Sequence, residues 1–370
     1  MKRALVWSVM YQVVLVAVLG IFLFKNNSSV SLSLLSQRFS MWDARHYLYL
    51  AEHGYSTSGD ERNFIVFYPL YPLLIRANPL FYISPTLSAI TITAITSIAG
   101  HAFFLLYLEK IGYSQHKKIR AFVLLCVSPT AIYFMLLYTE GLFLLLTCLF
   151  LYLLVQKKYL YASFAGATAT MTRLPGLLFI LPFAGTILLD TTLHFKQKVQ
   201  KLSAVAIILS GFLLYTSINI ALYNDPLAWQ KIQANNWHKT ATDPISRYKE
   251  EVQSFSFQKL ATLPRQDLPT YLVDQTITLG TPLLLVLYLV VKRRKANLIW
   301  IVWILGNFFL VASQTYWLSN ARYLGLVIPL YLILEDLTER VFPVYIALVL
   351  IFGSLALFGL DIFIKGLWLY

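Results

Sequence analysis

Long apolar runs follow one another along almost the whole chain, and this succession constrains the fold more than any other feature. A helix that crosses a bilayer needs about 20 mostly apolar residues, because its backbone polar groups must be satisfied internally. Such runs occur at 4–24, 84–108, 121–138, 141–155, 159–172, 174–190, 202–222, 276–291, 297–313, 322–336 and 341–360. The runs 121–138, 141–155 and 159–172 are short, so we expect them to be tilted, broken or partly re-entrant. The pattern predicts an all-α polytopic membrane protein of about 11 transmembrane helices, within a range of about 9–12.

Composition agrees with this prediction. Of the 370 residues, 58% are hydrophobic and 13% are charged, whereas soluble domains are nearer 45–50% apolar and about 25% charged. The net charge of +13 would also suit a nucleic-acid-binding protein. However, the Lys and Arg residues fall mainly in short gaps between apolar runs, as in membrane proteins, so we expect no nucleic-acid partner. The cysteines, Cys126 and Cys148, lie inside apolar runs and indicate no disulfide framework.

The distribution of basic residues predicts the orientation of the chain. With the N-terminus in the cytoplasm, alternation of the runs places most short Lys- and Arg-rich gaps on the cytoplasmic side, as the positive-inside rule requires. The two long loops, 25–83 and 223–275, then share the exoplasmic side with the turns that hold Glu140, Arg173 and Arg322. We expect residues 1–370 to form a single transmembrane unit whose chemistry lies on this exoplasmic face.

The stretch MWDARHYLYLAEHGY, residues 41–55, concentrates ionisable groups in an otherwise apolar chain. It lacks Gly and Pro between 42 and 53, and Gly54 is a typical helix terminator. As a helix it would place Asp43, His46 and Tyr47 on one stripe. The positions expected to face the bilayer are Trp42, Leu48 and Ala51. Two interpretations follow from spacing alone: a plain amphipathic helix at the membrane surface, or a helix that presents a site.

Other stretches on the same predicted side also allow two interpretations each. The segment FYPLYP, 67–72, is bent by its prolines and could be an aromatic belt at the interface or a wall for a lipid chain. Glu140 and Arg173 could form an ion pair or bind a phosphate, and Arg322 could be a membrane anchor or a ligand contact. Residues 223–240 could form a second interfacial helix or a lid over a lipid-facing cleft.

Several motifs occur in a fixed order: WDARHYLYLAEHGY, ERNFIVFYPLYPLL, SPTAIYFMLLYTEGLFLLL, TRLPGLL, NDPLAWQKIQANNW and ARY. This series resembles the PIG-V family, the second mannosyltransferase of glycosylphosphatidylinositol assembly, and its bacterial relatives, from about residue 40 to 330. The resemblance implies a GT-C glycosyltransferase that uses a polyprenyl-phosphate-sugar donor and a lipid-linked or other glycan acceptor on the exoplasmic face. The short chain favours a bacterial relative in the plasma membrane; a eukaryotic member would lie in the endoplasmic reticulum.

The resemblance also implies a site. The aspartate of the WD motif, here Asp43, is the expected catalytic residue, and we predict that it acts as the general base of an inverting transfer. Predicted substrate contacts are Trp42, His46, Glu61, Arg62, Tyr68, Tyr71, Glu140, Arg173, Trp237, Arg322 and Tyr323. We expect no cofactor and no required metal, although Asp60 and Glu61 could join Asp43 around a divalent cation.

Two other classes of protein remain open at this stage. A flippase or transporter of lipid-linked sugars would show the same spans and basic turns, with ionisable groups near the bilayer midplane. The third alternative is a scaffold subunit without catalysis, which would have no need of Asp43.

Overall fold

The structure is a computed structural model that describes residues 1–26, 37–256, 262–264 and 268–367. Residues 27–36 of the first predicted loop, and residues 257–261 and 265–267 of the second, lie outside the described residues. The packing divides the chain into two compact units. The first comprises Met1–Lys118 and Tyr133–Trp237, and the second comprises Ile119–Ile132 and His238–Tyr370.

The fold is helical in both units. Helices that begin in the first unit are α1 Lys2–Asn26, α2 Asp43–His53, α3 Leu70–Ala77, α4 Pro85–Lys110, α5 Gln115–Cys126, α6 Glu140–Val155, α7 Tyr159–Thr170, α8 Ile180–Leu189, α9 Phe195–Leu202, α10 Val205–Tyr223 and α11 Ala228–Trp237. The second unit adds α12 Pro244–Ser254, α13 Leu268–Lys292, α14 Leu298–Ala312, α15 Asn320–Leu324, α16 Pro329–Thr338 and α17 Phe342–Ile364. Short 3₁₀ helices cover Asp60–Val66, Pro79–Tyr82, Ala131–Phe134, Leu174–Phe179 and Arg293–Lys295.

These helices confirm the prediction of an all-α polytopic membrane protein. Within the described part of the chain, 5 helices are long and apolar enough to cross a membrane: Lys2–Lys25, Pro85–Lys110, Phe195–Tyr223, Thr270–Lys295 and Phe342–Ile364. Shorter apolar helices cover Glu140–Val155, Leu174–Leu189 and Leu298–Ala312. The count of about eleven spans stays a prediction.

Two predicted spans are interrupted in the structure. In the run 121–138, α5 ends at Cys126 and only a 3₁₀ turn follows, since Pro129 has no N–H to continue a helical ladder. In the run 322–336, α15 ends at Leu324, and α16 starts afresh with Pro329 in its first turn. Both runs are mostly apolar, but neither forms one continuous helix.

Glycines allow the helices of the first unit to approach closely. A Cβ on Gly211 of α10 would lie 1.9 Å from the carbonyl oxygen of Ala167 in α7. A Cβ on Gly100 of α4 would lie 2.8 Å from the backbone nitrogen of Leu145 in α6. Small residues at such crossings are a usual basis of helix packing in membranes. The helices that carry the candidate site are therefore held by backbone-to-backbone contact.

A buried ion pair joins two helices of the second unit. Arg120, on the part of α5 that belongs to this unit, lies 3.2 Å from Glu335 of α16 and donates to the carbonyl oxygen of Thr338 at 2.8 Å. The Tyr345 ring of α17 lies 3.9 Å from the guanidinium carbon of Arg120. The arginine thus ties residues from the middle of the chain to its C-terminal helices.

Candidate active site

The predicted helix in the stretch 41–55 is present, and Asp43 is its first residue. The helix α2 runs from Asp43 to His53 and ends at Gly54, whose φ of 77° suits a glycine. Trp42, just before it, has a φ of 55°. Such a backbone conformation costs a non-glycine residue about 1–3 kcal/mol and is found preferentially at functional sites. Asp43 therefore follows directly after a residue whose backbone conformation is constrained.

The predicted lipid-facing side of α2 is wrong. Leu48 and Ala51 are buried inside the protein, where α2 packs on α3 and α4, while Trp42 is partly buried. The exposed residues of α2 are Arg45, Glu52 and His53. Periodicity identified an apolar face correctly but could not tell lipid from protein as its partner. The helix is a packed element with one polar edge.

A long-range contact fixes the C-terminal end of α2. Arg76, near the end of α3, donates from Nη1 to the carbonyl oxygens of Ala51 and Glu52, at 3.0 Å each. The last carbonyls of a helix lack internal partners and carry partial negative charge, so a guanidinium satisfies both requirements.

His46 lies one turn after Asp43 and is held by aromatic rings. Its ring centroid is 4.3 Å from that of Phe64 and 4.7 Å from that of Phe67, on which it stacks. Burial in these surroundings lowers the pKa of His46 to about 4, despite the opposing effect of the Asp43 carboxylate. The imidazole is therefore neutral near pH 7. Its Nδ1 is buried, with no hydrogen-bond partner among the described residues.

The segment FYPLYP forms a wall beneath α2. Phe67 and Tyr71 each make an edge-on contact with the ring of Tyr47, at 5.2 Å between centroids. Tyr71 is completely enclosed and shares a 2.7 Å hydrogen bond with Thr93 of α4. Tyr71 thus supports Tyr47 from inside the protein, and its predicted contact with substrate stays a prediction.

Tyr68, on the other side of this wall, stacks on Tyr215 of α10 with ring centroids 4.1 Å apart and is also buried. The Tyr215 hydroxyl donates to the carbonyl oxygen of Ile65 at 2.6 Å. The Tyr223 hydroxyl contacts the carbonyl oxygens of Ser56 and Arg62, at 2.8 and 2.7 Å. Helix α10 therefore holds the loop between α2 and α3 along its length.

Glu140 and Arg173 form a buried ion pair, one of the two predicted possibilities. Arg173 Nη1 lies 2.6 Å from Glu140 Oε1, and the two side chains are 8% and 2% exposed. The same nitrogen donates to the Thr139 hydroxyl at 3.2 Å. The segment FYPLYP meets this turn directly, since the Leu70 N–H donates to the carbonyl oxygen of Met171 at 3.1 Å. Gly176 permits the tight turn, because a Cβ there would lie 2.5 Å from the carbonyl carbon of Ala169.

Tyr47, for which no role was predicted, joins α2 to the aromatic wall through its ring contacts. It lies in the electrostatic field of Asp43, Arg173 and Glu140. Burial and the Asp43 charge raise the pKa of Tyr47 far above its usual value, so the hydroxyl stays protonated. The available signal was spacing, because Tyr47 follows Asp43 by four residues on the same helical stripe.

Three further residues of the first unit are predicted to contact substrate: Glu61, Arg62 and Trp237. Glu61, on the 3₁₀ helix Asp60–Val66, folds back so that Oε2 would be 2.5 Å from a Cβ on Gly59. Arg62 is exposed. Trp237, the last residue of α11, contacts Phe67 edge-on at 6.4 Å. The second long loop thus reaches the aromatic wall through α11.

Arg322 and Tyr323 belong to the second unit. Both lie on α15; Arg322 is buried, and Tyr323 packs against an apolar cluster around Tyr288 and Ile304. The α15 N-terminus is held by Asp274 of α13, whose Oδ1 accepts from the Ala321 N–H at 2.6 Å. Asp274 was not singled out in the sequence, since it lies inside an apolar helix far from the ARY motif.

No group of three or more His, Cys, Asp or Glu able to hold a metal ion occurs among the residues that the structure describes. The arrangement of Asp43, Asp60 and Glu61 considered above is therefore not formed as such a group. The chemistry available at the site is that of a carboxylate, a neutral imidazole, a tyrosine hydroxyl and an ion pair.

Comparison with known proteins gives this geometry a context. The family described as mannosyltransferase (PIG-V) matches residues 18–237. The human GPI alpha-1,6-mannosyltransferase 2 is 32% identical over 118 residues, covering 29% of this chain and 23% of the human protein. The mouse GPI alpha-1,6-mannosyltransferase 2 is 30% identical over 122 residues, with the same coverage of 29% and 23%.

The aligned part is thus less than a quarter of either relative, and no solved structure matches the chain. The family match, in contrast, covers more than half of this chain, including α2, the aromatic wall and the Glu140–Arg173 pair. The predicted resemblance is confirmed: the chain belongs to the PIG-V mannosyltransferase family.

Proposed function

We propose that this protein is a membrane glycosyltransferase of the GT-C type that transfers a mannosyl residue from a polyprenyl-phosphate donor to a lipid-linked or other glycan acceptor. Family membership supports the class of reaction. The observation that supports the site is the position of Asp43, the first residue of α2, four residues before Tyr47, whose ring contacts the aromatic wall. The proposed donor, acceptor and membrane face follow the family resemblance.

The proposed reaction is a single displacement. The acceptor hydroxyl attacks the anomeric carbon, the bond from that carbon to the phosphate oxygen breaks, and the polyprenyl phosphate leaves with the electron pair. Asp43 accepts the hydroxyl proton as general base. The single displacement inverts the anomeric configuration and forms no covalent intermediate. No step requires a metal ion, because arginine guanidinium groups can stabilise a departing phosphate.

His46 supports this arrangement as a neutral group. Because burial lowers its pKa to about 4, His46 is uncharged near pH 7 and does not form an ion pair with the Asp43 carboxylate. Its buried Nδ1 can instead hydrogen-bond the acceptor or the sugar. The ring contacts with Phe64 and Phe67 fix the direction of that nitrogen.

The test is sugar transfer by purified enzyme from polyprenyl-phosphate mannose, comparing Asp43→Asn with Asp60→Asn. Asp60 is an exposed carboxylate on the neighbouring 3₁₀ helix and serves as the matched control. We expect Asp43→Asn to lose about 10²–10⁴-fold in kcat, the usual contribution of a general base, while Asp60→Asn keeps normal activity. Full activity of a folded Asp43→Asn protein would exclude Asp43 as the base.

The same preparation distinguishes a transporter of lipid-linked sugars. Reconstituted in vesicles, a transporter would move labelled donor across the bilayer without forming a new glycosidic bond. We expect a labelled glycoside product instead. In a cell, the proposed locations are the plasma membrane of a bacterium or the endoplasmic reticulum of a eukaryote, with the site on the exoplasmic face.

A further inference from the structure

The length of α10 places the helix before it, α9, at the edge of the hydrocarbon layer. Helix α10 has 19 residues and no charged side chain, and it rises about 28 Å at 1.5 Å per residue. This rise matches the hydrocarbon thickness of a bilayer, which is about 30 Å. Only Ser203 and Ala204 separate α9, Phe195–Leu202, from α10. The lysines of α9 therefore lie at the level of the lipid headgroups, since charged side chains are costly within the hydrocarbon.

Apolar and basic side chains occupy different sides of α9. Phe195 and Val199, one helical turn apart, form an apolar stripe and are 82% and 52% exposed. Lys196 is exposed on the neighbouring polar side, together with Gln197 and Gln200. The helix contains three lysines and no acidic residue. An exposed apolar stripe beside lysines is typical of a helix that lies at a membrane surface.

The other two lysines of α9 contact the protein and hold the helix on it. Lys198 Nζ donates to the carbonyl oxygen of Leu188 in α8 at 2.6 Å. Lys201 Nζ lies 4.8 Å from the centroid of the Tyr159 ring in α7, within the usual distance of a cation–π contact. Because these contacts fix the inner side of α9, the apolar stripe points away from the protein.

The surface around α9 carries an excess of positive charge. The turn before α7 adds Lys157 and Lys158 to the three lysines of α9, whereas residues 188–202 contain one acidic residue, Asp190. Lys157 Nζ lies 2.6 Å from Asp190 Oδ2, so this carboxylate is already paired. Lys158 and Lys196 are exposed, and no ion pair among the described residues holds either ammonium group. Two lysines are therefore available to an anion beside the apolar stripe.

We propose that α9 binds anionic phospholipids of the surrounding leaflet, with the apolar stripe among the acyl chains and Lys158 and Lys196 on the phosphate groups. Lysines close to a bilayer are attracted to anionic headgroups within about a Debye length. The apolar stripe distinguishes a lipid from a free phosphate ion, which would gain nothing from exposed Phe195 and Val199. This surface lies beyond the opposite end of α6 from Glu140, so the proposal does not depend on the proposed transferase reaction.

Hydrogen exchange of the α9 backbone amides tests the proposal at the helix itself. The full chain is reconstituted in nanodiscs of phosphatidylcholine, or of phosphatidylcholine mixed with phosphatidylglycerol of the same acyl chains, and mass spectrometry follows exchange in residues 195–202. Bound lipid slows exchange because it stabilises the closed helix. We expect exchange to be at least about 5-fold slower with phosphatidylglycerol, the usual effect of one lysine near an anionic bilayer. High salt should remove this difference.

Two double variants separate the basic contribution from the apolar one. Lys158→Gln/Lys196→Gln should remove the difference in exchange between the two lipid mixtures. Phe195→Gln/Val199→Gln should instead speed exchange in both mixtures, although glutamine forms helices better than phenylalanine or valine. All four side chains are exposed, so we expect both variants to fold.

The matched control is Arg294→Gln/Lys295→Gln, which removes the same charge from an exposed basic turn of the second unit. It should leave the response of α9 to phosphatidylglycerol unchanged. Equal exchange in the two lipid mixtures would overturn the proposal, and so would an equal loss of the response in the control variant. Inorganic phosphate added to phosphatidylcholine nanodiscs should have no effect; slowing as large as that with phosphatidylglycerol would show a site for the free anion and refute lipid binding.

Discussion

His46 is a titratable group whose burial should be visible in the stability of the protein. Burial beside the rings of Phe64 and Phe67 lowers its pKa to about 4, against 6.5 for an exposed histidine. The unfolded chain therefore binds a proton between about pH 6.5 and 4 that the folded protein does not, so folding stability is lost as the pH falls through this window. Above pH 6.5 the group has no effect, because it is neutral in both states.

The variant His46→Phe checks this sign, since it keeps an aromatic ring in the stack and removes the titration. In thermal unfolding in detergent, we expect the Tm of wild type to fall further than that of His46→Phe between pH 6.5 and pH 4. The difference at pH 8 measures packing alone and provides the baseline. An equal or opposite change in the two proteins would show that His46 is not buried as a neutral group.

At the scale of elements, the crossing of α7 and α10 determines where Arg173 lies. Gly211 is in direct contact with α7, where a Cβ would be 1.9 Å from the Ala167 oxygen and 2.3 Å from Thr170 Oγ1. Thr170 also hydrogen-bonds to the Ile208 oxygen of α10 at 3.2 Å. Helix α7 ends at Thr170, only three residues before Arg173, so a shift of this helix moves the ion pair.

Gly211→Ala should therefore destabilise the fold by about 1–3 kcal/mol, the usual cost of overpacking, and should lower transferase activity. The control is Gly353→Ala in α17, where no atom lies within 4 Å of the added Cβ. There we expect no loss, because alanine is the better helix former. Both are measured as the Tm in detergent and as sugar transfer. Equal Tm values for the two variants would contradict the close crossing.

Local sequence signals predicted the individual elements well. The lack of Gly and Pro before Gly54 predicted α2, and Pro129 explained the break in the run 121–138. What local signals could not give is the partner of each face. Leu48 packs against protein rather than lipid, and Arg76 caps α2 from another helix, because both depend on elements far along the chain.

At the scale of the whole molecule, each of the two compact units is made of two segments that are separated in the sequence. Residues Ile119–Ile132 belong with the C-terminal part of the protein, to which Arg120 is joined through Glu335 across a separation of 215 residues. Charge pairing over such a distance leaves no periodic trace in a sequence. Alternation of the spans, in contrast, predicts that Asp43, Glu140 and Arg173 lie on the same side of the membrane.

The first unit has a polar site at one end of α6 and basic residues at the other. Glu140 begins this helix of 16 residues, which rises about 24 Å at 1.5 Å per residue. Beyond its far end, Lys157 pairs with Asp190 at 2.6 Å, and Lys201 lies 4.8 Å from the centre of the Tyr159 ring. This separation agrees with the positive-inside rule if the basic end faces the cytoplasm.

Cysteine labelling with a membrane-impermeant maleimide tests that orientation. Ser58 lies in the exposed loop after α2, and Lys196 is exposed on α9, next to the basic end. In intact cells we expect the reagent to label Ser58→Cys, whereas Lys196→Cys should react only after permeabilisation. The parent protein gives the background, since Cys148 is buried and Cys126 is partly covered. The reverse pattern would place Asp43 on the cytoplasmic side, where a donor presented on the exoplasmic face could not reach it.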